Sequence, residues 1–305
     1  NVIQCPMKGI INNNKGNYSY AHSVLQSICC LDASKEFINS IDFKFINQNA
    51  KLSKELYALI NVLNLGKAGV SNGIIPLFKE CYEKNKSIIQ SKNVLKEDPF
   101  HFLFFLLQFI HFETNVPKNP NYNINLLKNQ SINNKQNDVY MFNLYMDFFN
   151  QTQNSFISNN FYNIERYLYE CPNCKQYYNY GMKTVLRIDV EEVIKFRNNK
   201  FPMNINNKID LRDCFYYYND KITLTCENCG NLNTTKGFQI CKPARVLMIA
   251  FERDYNGFNN DISFPIDLDL SEFINQNIFN NNTNYSLVSC ISYDNNSGNY
   301  FADCC

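Results

Sequence analysis

Residues Asn14–Gln26 read Asn-Lys-Gly-Asn-Tyr-Ser-Tyr-Ala-His-Ser-Val-Leu-Gln, a polar loop that runs directly into an apolar segment. Gly16 and Asn17 tolerate the positive backbone φ angles of a sharp turn. Apolar side chains then recur three and four residues apart, which predicts a helix with one buried face, made of Ala21, Val24, Leu25 and Ile28. Ser19 is therefore predicted at the helix N-terminus, where exposed N–H groups and the helix dipole favour the thiolate or oxyanion of an acyl-transfer enzyme.

The composition is that of a globular protein of 305 residues, 45% hydrophobic and 15% aromatic. No apolar run approaches the roughly 20 residues of a membrane span, and the N-terminal residues lack the pattern of a signal peptide. A net charge of +1 without a Lys/Arg cluster argues against a nucleic-acid partner. The 13 cysteines are dispersed, which favours a reducing compartment, cytoplasmic or nuclear, over a disulfide scaffold. Because it begins at Asn1, the sequence is expected to be part of a longer protein.

Helical periodicity dominates the first part of the chain and includes Lys54–Leu63 and Phe102–Phe112. Asp98 and Pro99 are the residue types of an N-cap and a first helical position, so they predict where the second of these helices starts. Residues Val116–Asn137 are rich in Asn and Lys and are predicted as a loop or an insertion.

From Phe161 onward the pattern changes to short β-rich runs, such as Thr184–Val190 and Lys221–Thr225. Pro243–Arg253 is a nearly continuous apolar run, which predicts a central strand buried on both faces. The chain thus changes from helical to β-type patterns along its length.

Two cysteine pairs lie in this β-rich region, Cys171-Pro-Asn-Cys174 and Cys226-Glu-Asn-Cys229. A Cys-x-x-Cys turn directs two thiolates at one ion, and two such turns complete the four-sulfur shell of a structural zinc site. The 51 residues between the pairs exceed the spacing of a zinc ribbon, so long antiparallel strands would have to bring them together. Two dithiol redox motifs and simple free thiols remain as alternatives, although the βαβ context of a thioredoxin is missing. We predict structural Zn²⁺ with no open position for catalysis.

The opening loop and helix resemble the cysteine box of the ubiquitin-specific proteases, whose pattern is Asn-x-Gly-Asn-Thr-Cys-Tyr-x-Asn-x-x-Leu-Gln. Ser19 stands where that family has its catalytic cysteine. Asn14 stands at the position of the family's oxyanion donor, although an Asn in a loop is equally suited to local capping. The segment around Asp98 resembles the acidic box that meets the basic tail of ubiquitin. Asp98 matches this box, but His101 replaces a glutamate, which weakens the expected pairing with an arginine.

Later blocks extend the resemblance along nearly the whole chain. Pro243–Arg253 and Phe264–Phe273 resemble the family's core strand and the segment after it, and Ser297–Ala302 resembles the histidine box. Asn299 occupies the position of the general base in that box. The order and spacing of these blocks agree with the family, so the set as a whole is specific.

The resemblance implies a papain-like cysteine-protease fold of the α+β class in one domain, with three parts. These are a helical thumb at residues 1–145, zinc-bearing β fingers at 146–242 and a β palm at 243–305, the palm being incomplete at its C-terminal end. The family cleaves the bond after the terminal glycine of ubiquitin. A third triad residue cannot be assigned within this sequence.

The chemistry at the matched positions departs from that of a thiol protease, which needs a thiolate, an imidazole base and an oxyanion hole. Ser19 offers a hydroxyl, and the amide of Asn299 cannot accept a proton at neutral pH. The histidines of the chain are His22, His101 and His111, and all three lie in the helical part, so none replaces the base downstream. His111, on an aromatic helix, is predicted to be a packed core residue.

The sequence therefore indicates a pseudo-deubiquitinase that serves as a ubiquitin-binding or scaffolding module without peptidase activity. Its expected partners are ubiquitin or a ubiquitin-like protein and other proteins. One alternative is an active ubiquitin hydrolase, with Ser19 a laboratory replacement of the cysteine or with a base outside this sequence. A second alternative is a structural subunit of an RNA-processing or other assembly with no role for ubiquitin.

Overall fold

A computed structural model describes residues 9–11, 17–40, 50–71, 73–86, 97–122, 137–200, 209–253, 262–274, 278–279 and 282–304. The chain forms two compact units. The first comprises Asn1–Val116, Ser155–Asn160 and Leu287–Cys305, and the second comprises Pro117–Asn154 and Phe161–Ser286. Helices and antiparallel sheets are both present, as the sequence predicts for the α+β class.

The described part of the first unit includes the helices α1 (Ser19–Cys29), α2 (Asp32–Ser40), α3 (Lys51–Asn64), α4 (Ile74–Asn85) and α5 (Pro99–Thr114). It also contains a short parallel pair, β1 (Ile10–Ile11) with β2 (Gly69–Val70), and an antiparallel hairpin of β13 (Ser289–Asp294) with β14 (Asn299–Cys304). Helix α1 packs against both α5 and the hairpin. The predicted apolar stripe is its buried face, and Ala21, Val24 and Leu25 have no exposed surface.

The predicted start of α5 is confirmed by its cap. The Asp98 carboxylate accepts the backbone N–H of His101 at 2.9 Å, and Pro99 is the first helical residue. Near the other end of the helix, His111 is buried and its Nδ1 is hydrogen-bonded to the Ser155 hydroxyl at 2.7 Å. His111 is thus a packed core residue, as the sequence indicates.

The start of α3 is capped by a residue of another helix. Ala50 at the N-cap position has no side chain that can accept a hydrogen bond. Glu113 of α5 supplies the acceptor instead, taking the N–H of Leu52 at 3.2 Å and the N–H of Ser53 at 2.7 Å. A carboxylate at the N-terminus also interacts favourably with the helix dipole, so Glu113 fixes α3 to α5.

The second unit is built around a four-stranded antiparallel sheet with the order β4-β3-β8-β7. Its strands are β3 (Asn163–Cys171), β4 (Lys175–Lys183), β7 (Ile222–Leu224) and β8 (Thr234–Lys242). Helix α6 (Asn137–Thr152) covers one end of this sheet through Tyr145 and Phe149, which pack in a core with Ile164 and Tyr180. Helix α7 (Phe156–Phe161) precedes β3 in the sequence and belongs to the first unit except for its last residue.

A second core of this unit lies around a parallel strand pair, β5 (Val185–Asp189) with β9 (Met248–Glu252). Helices α8 (Val190–Lys200) and α9 (Leu211–Asn219) pack in this core. The remaining elements are β6 (Ile209–Asp210), β10 (Ile262–Ser263), β11 (Asp267–Asp269), a 3-10 helix (Ser271–Phe273) and β12 (Asn284–Ser286).

The prediction for Pro243–Arg253 is wrong in one respect. Only Met248–Glu252 forms a strand, and among the described residues it pairs with β5 alone. Its first four side chains are half-buried, and Glu252 is exposed. An apolar run records a tendency toward burial, but the number of neighbouring strands is set by the tertiary fold.

The predicted loop Val116–Asn137 has neither helix nor strand at residues 116–122, and residues 123–136 lie outside the described part of the chain. The boundaries of thumb, fingers and palm stay a prediction. In the part of the chain that the structure describes, every helix is too short or too polar to span a bilayer.

Candidate functional site

Ser19 lies at the first residue of α1, where the sequence predicts it. Its hydroxyl donates to the side-chain oxygen of Asn17 at 2.9 Å and accepts the backbone N–H of Tyr300 at 3.1 Å. The backbone N–H of Ser19 also points to the Asn17 oxygen, at 3.3 Å. The single hydroxyl hydrogen therefore goes to an amide oxygen, which cannot act as a base at neutral pH.

The turn of the β13–β14 hairpin brings Tyr300 to Ser19. Gly298 has a φ of 68°, a conformation that favours glycine, and its carbonyl accepts the Asn17 side-chain amide at 3.5 Å. Asp294 accepts the N–H groups of Asn296 and Ser297 at 3.0 and 3.2 Å. The hydrogen bond from the Ser297 hydroxyl has the largest effect in lowering the pKa of the Asp294 carboxyl, and the two N–H groups lower it further.

Asn299 is the first residue of β14 and pairs with Asp294 across the hairpin. Its side-chain amide donates to the carbonyl of Ser297 at 3.0 Å. The amide thus stabilises the turn, while the neighbouring backbone N–H of Tyr300 contacts Ser19. The structure places positions 19 and 299 in the same unit, as the resemblance implies, but neither supplies a proton acceptor for the other.

All three imidazoles of the chain are engaged away from Ser19. His22 is half-buried, its Nε2 is 2.7 Å from the Ser71 hydroxyl, and burial lowers its pKa, so it is neutral at pH 7. His101 is hydrogen-bonded through Nδ1 to Asp98 at 2.6 Å. His111 is buried against Ser155.

The acidic box keeps its predicted place at the start of α5. Both carboxylate oxygens of Asp98 are used within the helix, one by the N–H of His101 and the other by its ring. About a quarter of each side chain is exposed, 28% for Asp98 and 27% for His101. An arginine from a partner would have to compete with the imidazole for this carboxylate. Asn14, the predicted oxyanion donor, lies outside the described residues.

An open cleft of about 400 Å³ lies beside α1 in the first unit. His22, Gln26, Tyr300 and Cys304 are among its lining residues, but Ser19 is not. The cleft therefore does not reach the nucleophile position. Cys29, near the end of α1, is fully buried, and burial raises the pKa of its thiol, so it is no substitute nucleophile.

A second candidate site lies in the other unit, at the end of the four-stranded sheet opposite to the one that helix α6 covers. The tight turn between β3 and β4 carries Cys171 and Cys174, and the turn after β7 carries Cys226 and Cys229. Antiparallel pairing of β3, β8 and β7 brings the two turns together across the long sequence separation. The ligand atoms of the four cysteines all lie within 4.8 Å of one another.

The geometry of the four sulfurs fits a metal with a tetrahedral thiolate shell. Zn–S bonds of about 2.3 Å place the sulfurs of a tetrahedron about 3.8 Å apart. Between the two turns, Cys171 Sγ lies 3.5 Å from Cys229 Sγ, and Cys226 Sγ lies 4.0 Å from Cys174 Sγ. These two separations bracket the tetrahedral value.

The pKa shifts of the cysteines are also consistent with a metal site. The Thr234 hydroxyl makes the largest contribution to lowering the pKa of Cys171 to about 6, followed by the N–H of Cys174, which lies 3.4 Å from the sulfur. The pKa of Cys174 is raised to about 12, chiefly by its hydrogen bond with Cys229. Four thiols this close cannot all ionise beside one another unless a cation offsets their charge.

Sequence reasoning missed three residues of these sites. Asn17 and Tyr300 hold Ser19, and Thr234 lies beside Cys171 in the strand register. Asn17 is part of the family's cysteine box, so its place in the pattern was the available signal. Tyr300 acts through its backbone and Thr234 through strand pairing, and no pattern of residue types in the sequence predicts either role.

Comparisons with known proteins agree with the resemblance. The family model described as "Ubiquitin carboxyl-terminal hydrolase" matches residues 11–305. A comparison with curated protein sequences found no match.

Similar solved structures include the SAGA DUB module Ubp8/Sgf11/Sus1/Sgf73 bound to monoubiquitin, with 17% identity, a TM-score of 0.61 and coverage of 98% of this chain and 61% of that one. The yeast SAGA DUB module with an Sgf73 mutant has 17% identity, a TM-score of 0.62 and coverage of 98% and 60%. The Ubp8 module bound to ubiquitin aldehyde has 18% identity, a TM-score of 0.60 and coverage of 98% and 62%.

This chain thus spans about three fifths of the length of those neighbours. The neighbours confirm the predicted fold. The match of the family model over nearly the whole sequence shows that the chain belongs to the ubiquitin carboxyl-terminal hydrolase family.

Proposed function

We propose that this chain is a catalytically inactive member of its family that serves as a ubiquitin-binding or scaffolding module. The observation that carries the proposal is the pair of hydrogen bonds of the Ser19 hydroxyl, one to the amide oxygen of Asn17 and one from the N–H of Tyr300. A serine nucleophile needs a base within about 2.6–3.2 Å to take its proton. An amide oxygen holds that position, and Asn299 is bonded to Ser297 instead.

Binding of ubiquitin is proposed from the neighbours, two of which are described as bound to monoubiquitin and to ubiquitin aldehyde. For this chain, Asp98 and His101 are the residues expected to face a basic tail. Because His101 already occupies the Asp98 carboxylate, binding of such a tail is expected to be weaker than in a member with a second carboxylate. A scaffolding role is proposed because this neighbour is described as a module of Ubp8 with Sgf11, Sus1 and Sgf73.

The four-cysteine cluster is proposed to hold one structural Zn²⁺. Zinc supplies charge neutralisation and folding energy in such a site and leaves no coordination position free for catalysis. Cys171, Cys174, Cys226 and Cys229 would be the four ligands. A zinc-thiolate site requires reduced cysteines, which is consistent with the cytoplasm or nucleus as the proposed location.

A single set of measurements separates the proposed function from an active enzyme. The purified chain is incubated with a ubiquitin probe that carries a C-terminal propargyl group, and its affinity for free ubiquitin is measured by calorimetry. We expect no covalent adduct with the probe above the background of denatured protein. Any binding of free ubiquitin in the calorimeter should be reversible. Adduct formation at any cysteine would overturn the pseudoenzyme proposal, because it would show a reactive thiolate at the site.

Zinc is tested separately by elemental analysis of protein purified without chelators. We expect about one equivalent per chain. Less than about half an equivalent would overturn the metal proposal and leave the conclusion on peptidase activity untouched.

A further inference from the structure

The residue that joins the two cysteine turns is a threonine at the start of β8. In the pairing of β3 with β8, Tyr169 lies opposite Lys236 and Glu170 lies opposite Thr235. One step further in the same register brings Thr234 beside Cys171. On the other side of β8, Thr234 pairs with Leu224, the last residue of β7 before the second cysteine turn. Thr234 therefore lies between the strands that carry the two halves of the cluster.

The contacts of the Thr234 side chain follow this placement. Only 1% of the residue is exposed. Its hydroxyl donates to the carbonyl oxygen of Asn231 at 3.2 Å, and the strand register places Thr234 beside Cys171. The same Asn231 carbonyl accepts the N–H of Cys226 at 2.8 Å and so closes the second cysteine turn. One buried threonine thus bonds to the residue that closes the second cysteine turn and lies beside the first.

A hydroxyl has one hydrogen, so it can donate to Asn231 or to Cys171 but not to both at once. In the structure, the hydroxyl donates to the Asn231 carbonyl. When a metal holds Cys171 as a thiolate, the sulfur carries charge and becomes the stronger acceptor. The Asn231 carbonyl then keeps its bond from Cys226, so the change leaves no buried group without a partner.

We propose that Thr234 is a positioning residue of this metal centre, whose hydroxyl donates to the Cys171 thiolate and holds the two cysteine turns in register. The proposal rests on the metal-binding function proposed above and adds to it a residue outside the four ligands. Groups that hydrogen-bond to metal ligands orient them and tune the bound metal, and their loss typically weakens binding 10–100-fold.

The test compares variants of the full chain that differ in one group. Thr234→Val keeps the shape and loses the hydroxyl, whereas Thr234→Ser keeps the hydroxyl and loses the methyl group. Thr235→Val is the matched control, because the Thr235 hydroxyl bonds to the Glu170 carboxylate at 3.3 Å and not to the cluster. Zinc affinity is measured by competition with a coloured chelator.

We expect Thr234→Val to bind zinc at least about tenfold more weakly, and Thr234→Ser and Thr235→Val to stay close to the wild type. Equal affinity of Thr234→Val and wild type would overturn the proposal. Equal losses in Thr234→Val and Thr234→Ser would also overturn it, because the methyl group would then be responsible. A wild-type chain that binds no zinc would overturn the metal proposal itself, so the two failures are distinguishable.

A second readout reports on the sulfur and not on folding. In the Co²⁺-loaded protein, a hydrogen bond to a thiolate stabilises the sulfur lone pair and raises the energy of the sulfur-to-cobalt charge-transfer band. Loss of the hydroxyl in Thr234→Val should shift this band to lower energy, and an unchanged band would contradict the proposed bond. If Thr234→Val does not fold, Thr234→Ala and Thr234→Ser give the same comparison, because both shorten the side chain and only the second keeps the hydroxyl.

Discussion

Replacement of Ser19 by alanine should destabilise this protein, although the position matches that of a catalytic nucleophile. Nucleophiles are often held at some cost to stability, and their removal is then neutral or stabilising. Here the hydroxyl has two protein partners, the side-chain oxygen of Asn17 and the backbone N–H of Tyr300. The bond from Tyr300 connects the start of α1 to the β13–β14 hairpin across 281 residues of sequence.

The magnitude follows from the two bonds. Each contributes about 1 kcal/mol net, and water replaces part of this because Ser19 is only half-buried. Alanine recovers up to about 0.5 kcal/mol through its higher helix propensity. We therefore expect Ser19→Ala to lower the free energy of unfolding by about 1 kcal/mol, or the melting temperature by about 2–4 °C.

The assay is urea unfolding followed by circular dichroism, with Ser27→Ala as the control on the same helix. The Ser27 hydroxyl bonds only to the Ser23 carbonyl one turn earlier, at 2.9 Å. Its loss should be neutral or stabilising by up to about 0.5 kcal/mol. If Ser19→Ala were as stable as the wild type or more stable, the hydroxyl would have no structural role, and the assignment of its hydrogen to Asn17 would be wrong.

Two further predictions concern groups of the first unit. Glu113→Gln should lower the free energy of unfolding by about 2 kcal/mol, because the carboxylate caps α3 through two N–H groups and the Ser53 hydroxyl. The surface control Glu83→Gln should lower it by less than about 0.5 kcal/mol, and equal losses in the two variants would refute the role of Glu113 as a cap. Burial lowers the pKa of His22 in the folded state, so below about pH 6.5 the unfolded chain binds a proton more readily than the folded one. The free energy of unfolding therefore keeps its full His22 contribution above about pH 6.5 and falls as the pH drops below that value. His22→Asn should flatten the decline in melting temperature between pH 7 and pH 5, and an unchanged slope would contradict this.

The sequence predicted well those features that depend on local chemistry. Helix α1 starts at Ser19 and buries the expected stripe, because helical periodicity and turn residues are local signals. The same holds for α5, where Asp98 and Pro99 mark the start. The cysteine turns were recognisable because each holds its two thiols through a short, fixed spacing.

Features that depend on tertiary context were less predictable. The full extent of α6 was not expected, because its aromatic and Asn residues have low helix propensity and gain their stability by packing on the sheet. The bond between Ser19 and Tyr300 joins a side chain to a backbone group far away in sequence, so no pattern of residue types encodes it. The position of Thr234 depends on strand register, which the spacing of the cysteines leaves open.

We propose that this member of the family lacks peptidase activity because, among the residues that the structure describes, no base stands beside position 19. The most direct test is hydrolysis of a fluorogenic ester or amide at the C-terminus of ubiquitin by the wild type, Ser19→Cys, and Ser19→Cys combined with Asn299→His. Triad residues act as a unit, so we expect no turnover above background from the wild type and Ser19→Cys, and little from the double variant. Turnover by Ser19→Cys alone at a rate of about 1 per second or more would contradict the account, because a base must then stand where the structure places the amide of Asn17.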